Sequence, residues 1–210
     1  MERPILFKDE MVRAILEDRK TQTRRVMKVQ PPSEKHQMLN VMSSTDRRVE
    51  GKSHWAVLNA EKTCVLESDK RYFSHPYGLP GDRLWVRENF LQLMHGEVTD
   101  GRVKYLASID PRSTGTPKNE GYWWRKRPSI HMPRWASRIT LEITDVRVER
   151  LQDISVEDAK AEGVEPLHLN GWCDDQKFRA EFCNLWMEIN GPESWDANPW
   201  VWVIEFRRVD

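Results

Sequence analysis

The residues best suited to chemistry in this 210-residue chain are the cluster Arg19-Lys20-Thr21-Gln22-Thr23-Arg24-Arg25, the turn Pro80-Gly81-Asp82 and the carboxylate Glu162. The familiar alternatives are missing: there is no G-x-x-x-x-G-K-[ST], no G-x-G-x-x-G, no H-E-x-x-H and no G-x-S-x-G. P-loop nucleotide hydrolysis is therefore excluded. His36, His54, Cys64 and His75 are spaced too irregularly for a zinc ribbon, so neither a metal nor another cofactor is expected. A second group is Tyr122-Trp123-Trp124-Arg125-Lys126-Arg127, which sets aromatic planes beside cations. That combination stacks bases and neutralises phosphates.

Charge sharpens the second reading. The chain is formally neutral, with 33 Lys/Arg against 33 Asp/Glu. Residues 102–138 nevertheless hold nine Lys/Arg and two Asp/Glu, whereas residues 139–199 hold five and fourteen. The plain reading of such runs is a solvated face; the interleaved aromatics point the basic one toward nucleic acid. Ten Trp and six Phe supply bulky core material, which excludes disorder throughout. No apolar run approaches the roughly 20 residues of a membrane helix, and Lys8 interrupts the N-terminus before a signal-peptide core forms, so a cytoplasmic protein without membrane contact is expected. Cys64, Cys173 and Cys183 form no CxxC pair and read as free thiols.

Several elements must position these groups. Met11, Val12, Ile15 and Leu16 recur at helical spacing within residues 8–19, predicting a short amphipathic helix that ends near Lys20. Residues 21–27 then alternate as an extended segment. Residues 83–88 and 138–149 read as half-buried strands, a further strand is expected over residues 102–107, and residues 200–206 as a largely buried last strand. Ser155-Val156-Glu157-Asp158 is a capping box opening a short helix that Gly163 closes, placing Glu162 in its last turn. Residues 174–190 form a full amphipathic helix with Phe178, Phe182, Leu185, Trp186 and Ile189 on one face. Residues 110–128 read as a loop carrying Trp123 and Trp124, while core packing is the expectation for Trp85, Trp135, Trp200 and Trp202. Together these predict one α+β domain spanning residues 1–210, a mixed β-barrel with short flanking helices and insertions at about 26–75 and 108–130.

The order of the cluster at a helix end, the Pro80-Gly81-Asp82 turn, Glu162 after a capped helix and a C-terminal strand through Ile204-Glu205-Phe206 resembles the ASCH family, whose fold is a PUA-like β-barrel. The resemblance covers residues 5–25, 80–88, 138–163 and 200–209, and is narrower still toward phage and prophage ASCH proteins. A small bacterial N4-acetylcytidine amidohydrolase of that family is similar in the same places. By this resemblance Lys20, Thr23 and Glu162 would be catalytic. A lysine in a partly dry pocket serves as base, a threonine hydroxyl attacks an amide carbonyl, and a carboxylate orients the lysine. Arg19, Thr21, Arg24 and Arg25 would bind substrate, Arg24 and Arg25 taking a phosphate or developing oxyanion. Trp123, Trp124, Arg125, Lys126 and Arg127 would add a nucleic-acid surface walling the same cleft.

The resemblance implies a protein binding RNA or a modified nucleoside or nucleotide, with amidohydrolase activity. The alternatives are a ribonuclease acting on single-stranded RNA and a non-catalytic phage assembly protein. Taken alone, Lys20 is a helix-end lysine favoured by the macrodipole, Thr23 a strand threonine and Glu162 a surface carboxylate. The amidase reading requires the Glu162 carboxylate within direct or one-water reach of the Lys20 ammonium, in a shielded concavity with Arg24 or Arg25 on its rim. Rim residues would contribute little to stability.

Overall fold

In the computed structural model, residues 1–40, 46, 48, 50, 52–95, 97–108 and 121–209 are described. The fold is mixed α+β. Among the described residues eleven strands run in chain order as β1 Glu2–Leu6, β2 Gln22–Val26, β3 Gln37–Asn40, β4 Ser53–Leu58, β5 Val65–Phe73, β6 Arg83–Arg87, β7 Phe90–His95, β8 Val98–Tyr105, β9 Tyr122–Arg127, β10 Thr140–Arg150 and β11 Trp200–Val209. Among the same residues three α-helices join them: α1 Asp9–Leu16, α2 Val156–Ala161 and α3 Asp174–Asn190. None of the described helices is long and apolar enough to cross a membrane.

The main sheet has the order β1-β6-β10-β11-β2, with β1 parallel to β6 and the other pairs antiparallel. Its two edge strands are bridged by a side chain, because the Arg25 guanidinium on β2 donates to the Leu6 carbonyl of β1 at 2.6 Å. The alternation along β10 puts Leu141 and Ile143 inward, where they meet Ile5, Leu84, Val86, Ile204 and Phe206 in one core. A bulge between Ile143 and Asp145 offsets β10 against β11. The Pro80-Gly81-Asp82 turn docks there: Gly81 N–H donates to the Ile143 carbonyl and Ile143 N–H to the Asp82 carbonyl, both at 2.9 Å. Gly81 has φ +89°, a conformation glycine adopts without strain. The turn thus launches β6 beside β10.

Two smaller sheets, β3-β4-β5 and β8-β7-β9, complete the architecture. The first is built from the stretch read as an insertion, part of which (residues 41–45, 47, 49 and 51) lies outside the described residues. Trp55 of β4 is fully buried in the main core, its ring centroid 5.4 Å from that of Trp200 and its indole N–H donating to the Val29 carbonyl at 2.9 Å.

The second sheet corrects the loop expected over residues 110–128, because Tyr122–Arg127 is strand β9, paired along its whole length with β7. Residues 110–120 of that loop lie outside the described residues. Cross-strand hydrogen bonding overrides the polar composition that suggested a loop. The strand expected over residues 102–107 lies earlier, in β8 Val98–Tyr105. Trp85 and Trp202 are buried as expected and Trp200 packs at the core margin, but Trp135 is 59% exposed, since it sits in a single 3-10 turn outside any sheet.

If β4 is integral to the core, Trp55→Ala should cost about 3–5 kcal/mol in stability. Urea unfolding followed by far-UV circular dichroism should then show a lower midpoint, and an unchanged midpoint would place the β3-β4-β5 sheet outside the cooperative unit.

Candidate functional site

The site assembles at the point where α1 ends, β2 begins and α2 ends. Asp18, in the left-handed region at φ +57°, turns the chain out of α1, and Arg19 and Lys20 N–H both donate to the Ala14 carbonyl. Lys20 then pairs with Glu162 as an isolated antiparallel bridge, with Thr21 N–H donating to the Ala161 carbonyl at 2.8 Å. Phe206 N–H donates to the Thr21 carbonyl at 2.8 Å, so the same tripeptide is tied to β11.

On the other side, the Ser155 side chain accepts from Asp158 N–H at 3.0 Å and starts α2, which is only six residues long. Glu162 is its C-cap. Gly163 follows at φ +83°, and a Cβ there would lie 2.8 Å from Lys20 Cβ and 2.9 Å from Ala14 Cβ, so only glycine permits this close approach.

Backbone docking brings together two side chains 142 positions apart in sequence: Lys20 Nζ donates to the Glu162 carboxylate at 2.7 Å and to the Glu162 carbonyl at 2.8 Å. The Lys20 side chain is 0% exposed and that of Glu162 3%. The Phe7 ring lies 5.6 Å from the ammonium and 5.4 Å from the Arg25 guanidinium, so both cations flank one aromatic.

Of the two arginines either of which was expected on the rim, Arg24 is buried and Arg25 half-buried. The Arg24 guanidinium reaches Asp158 at 2.9 Å, Glu149 at 3.1 Å and Glu162 at 3.3 Å. Three carboxylates engage its two Nη atoms and neutralise its charge, which removes it as a free phosphate ligand and leaves only its Nε open. Arg147 continues the network with ion pairs to Asp158, Glu149 and Glu205. Sequence reasoning did not identify Glu149, Asp158 or Arg147. The one signal it held was the excess of acid around α2, which exceeds what Lys20 alone could balance.

Thr23 is buried on β2 opposite Ile204 and lines a cavity of about 120 Å³ with Arg24, Arg25, Tyr77 and Glu162; Phe182, Leu185 and Trp186 of α3 form its apolar wall. Arg24 Nε and Arg25 Nε are buried without a hydrogen-bond partner among the described residues. Such orphan donors suit an acceptor oxygen. A larger cleft of about 760 Å³ adjoins through Met11, Glu162 and Leu185, which line both spaces. Glutamates outnumber arginines there: Glu10, Glu17, Glu165, Glu181 and Glu188 face it beside Glu162, against Arg13 and Arg19. Arg19 is itself engaged by Glu17 at 2.5 Å and Glu165 at 3.6 Å. Thr21 is exposed and turns toward a separate hollow with Lys20, Arg207 and Arg208.

Trp123, Trp124, Arg125, Lys126 and Arg127 are not brought to this cavity; they lie on β9, at the edge of a different sheet. Among the described residues no group of three or more His, Cys, Asp or Glu has metal-binding geometry.

Burial lowers the proton affinity of Lys20 first of all, the Glu162 carboxylate opposing the fall and Arg25 and Arg24 adding to it. A lysine that holds its proton less tightly folded than unfolded leaves the unfolded chain with the extra proton, so stability rises with pH on the approach to the ordinary lysine range near about 10.4.

Because both partners are buried, the rim expectation of negligible stability effects does not hold. Lys20→Met should cost about 3 kcal/mol by leaving Glu162 short of a cation, and the double variant Lys20→Met/Glu162→Leu should recover much of that loss. Denaturant midpoints measured between neutral and alkaline pH check both points: the single variant should also lose the alkaline rise seen in the parent chain. No family model, curated protein or solved structure matches the chain, so the chemistry of this site rests on its own residues.

Proposed function

We propose that the paired cavity and cleft bind an N4-acylated cytosine nucleoside and that Lys20, Thr23 and Glu162 carry its deacylation. The observation that carries this reading is the fully buried Lys20 ammonium held on Glu162, the same carboxylate that lines the Thr23 cavity. Buried ion pairs are costly, and a perturbed lysine beside a concavity fits acid–base work better than stability. The reading extends the ASCH resemblance, with the five-stranded sheet as a PUA-like barrel whose edges Arg25 holds together.

The two spaces divide the ligand by size. The outer cleft of about 760 Å³ lies in the range that accommodates a nucleoside-sized molecule, whereas the inner 120 Å³ suits only a small group such as an acetyl. In the proposed reaction the Lys20 ammonium first passes a proton to the Glu162 carboxylate, and the Thr23 hydroxyl then attacks the acyl carbonyl as its own proton passes to the freed Lys20 amine. Glu162 orients that amine, and the Arg25 N–H receives the developing oxyanion. Collapse breaks the C–N bond, the departing 4-amino group of cytosine takes the proton, and water then cleaves the acyl-threonine ester to release the carboxylic acid.

The glutamates around the cleft, of which Glu17 and Glu188 are paired with Arg19 and Lys8, still outnumber its cations and favour a ligand without phosphate. That argues for a free nucleoside and against a ribonuclease at this cleft.

Incubation with N4-acetylcytidine, followed by ultraviolet absorbance, should show deacylation, with the 5′-phosphorylated substrate turned over at least tenfold more slowly at low salt. Thr23→Val keeps the β-branched shape and should drop turnover to the buffer rate at an unchanged melting temperature. A parent chain no faster than buffer on every N4-acylated nucleoside overturns the reading.

A further inference from the structure

The β8-β7-β9 sheet lies outside every segment that resembles the ASCH family, and its register sorts the aromatic-basic stretch into two faces. Directly paired residues share a face. Leu91 pairs with Lys104 and Lys126, Leu93 with Trp124, and His95 with Tyr122. Phe90 pairs with Tyr105 and Arg127, Gln92 with Val103 and Arg125, and Met94 with Trp123. The second face is covered at its Phe90 end, where Phe90 packs with Met132, Ala136, Val103 and Tyr105, while Trp123 and Arg125 further along it are exposed.

The first face is built differently. Across its buried floor of Leu91 and Leu93, Lys104 Nζ lies 4.6 Å from the Trp124 ring centroid and the Arg102 guanidinium 6.0 Å from that of Tyr122. His95 stacks on Tyr122 with centroids 4.6 Å apart and planes at 25°. Lys126 is exposed on the same face. Over the three strands Arg102, Lys104, Arg125, Lys126 and Arg127 stand against one acid, Asp100.

We infer that this face is a platform for single-stranded nucleic acid, separate from the nucleoside cleft. Its chemistry matches that of a flexible strand: planar rings for bases, and cations alternating beside them for phosphates. Trp124 and the stacked His95–Tyr122 pair stand two positions apart along β9, so two successive bases have two aromatic surfaces. Charge complementarity selects the partner, since the patch is basic where the cleft is acidic. Trp123 and Arg125, which the sequence ranks equally with Trp124 and Lys126, fall on the other face and are not part of the platform.

The test is fluorescence anisotropy of the full chain with a labelled oligouridine of about 12 nucleotides, a matched single-stranded DNA, duplex DNA and polyglutamate, at about 50 and 200 mM salt. Expected is binding of the single strands at low salt, weaker binding of duplex, and none of polyglutamate; the RNA-to-DNA ratio identifies the preferred strand. Lys104→Ala/Lys126→Ala should lower affinity about tenfold and flatten the log–log salt slope by about 1.4, two phosphates' worth. Trp124→Leu should lower affinity about fivefold or more with the slope unchanged. Arg125→Ala, on the opposite face, should bind within twofold of the parent and controls for net charge. The inference is overturned by no single-strand binding at low salt, by equal or tighter binding of duplex or polyglutamate, by parent-like affinity of the Lys104/Lys126 variant, or by an equal loss in Arg125→Ala. None of these outcomes depends on deacylase activity, so the two readings fail separately.

Discussion

The contact on which the rest of the site depends is the one between the Lys20 ammonium and the Glu162 carboxylate. A fully buried lysine must find an anion, because an isolated charge in a low-dielectric interior costs more than a domain's whole margin of stability. That requirement fixes the position of α2. A helix of six residues has almost no stability of its own, and neither its Ser155 cap nor its apolar contacts alone would hold it at one angle. The Lys20–Glu162 bridge, the Thr21–Ala161 hydrogen bond and the Arg24–Asp158 ion pair hold it from its C-terminus to its first turn. Arg147 ties the same Asp158 to β10 and β11. Cations from β2 and β10 thus alternate with carboxylates from α2, β10 and β11, and each is buried or half-buried only because the next neutralises it.

How much of this was legible from sequence depends on whether a segment shows one face to water. β10 alternates cleanly because its inward residues Leu141 and Ile143 meet core while Thr140 and Glu142 do not, and it was read correctly. α2 and α3 carried their own signals in a cap and an apolar stripe. β7 has no such pattern, since Phe90 to Met94 are all buried, and a short apolar run does not distinguish strand from loop interior. β9 failed in the opposite sense: its Arg and Lys content looked like loop, and only its pairing partner makes it a strand.

The candidate site was partly visible. Its three central residues came from the order of motifs, not from periodicity, and the meeting of Lys20 with Glu162 follows that order. The burial of Arg24 did not, because a sequence does not show which of several acids will gather around one arginine. The basic count over residues 102–138 likewise overstated the surface charge, since Arg134 is engaged by Glu2 and Arg138 by Glu88.

What remains after those pairings is a neutral chain with two opposed surfaces, an acidic cleft at Glu162 and a basic sheet face at Lys104 and Lys126. Electrostatics near a surface decays within about 8–10 Å at physiological salt, so neutrality of the whole does not blur either patch. The separation has a chemical consequence. On the two proposals, a polyanion drawn to the basic face would be repelled at the cleft, whereas a small uncharged ligand would be indifferent to the basic face. On the proposed reading the acid rim would do for the pocket what size alone does not: it would exclude the phosphorylated and polymeric forms of a nucleoside whose neutral form enters.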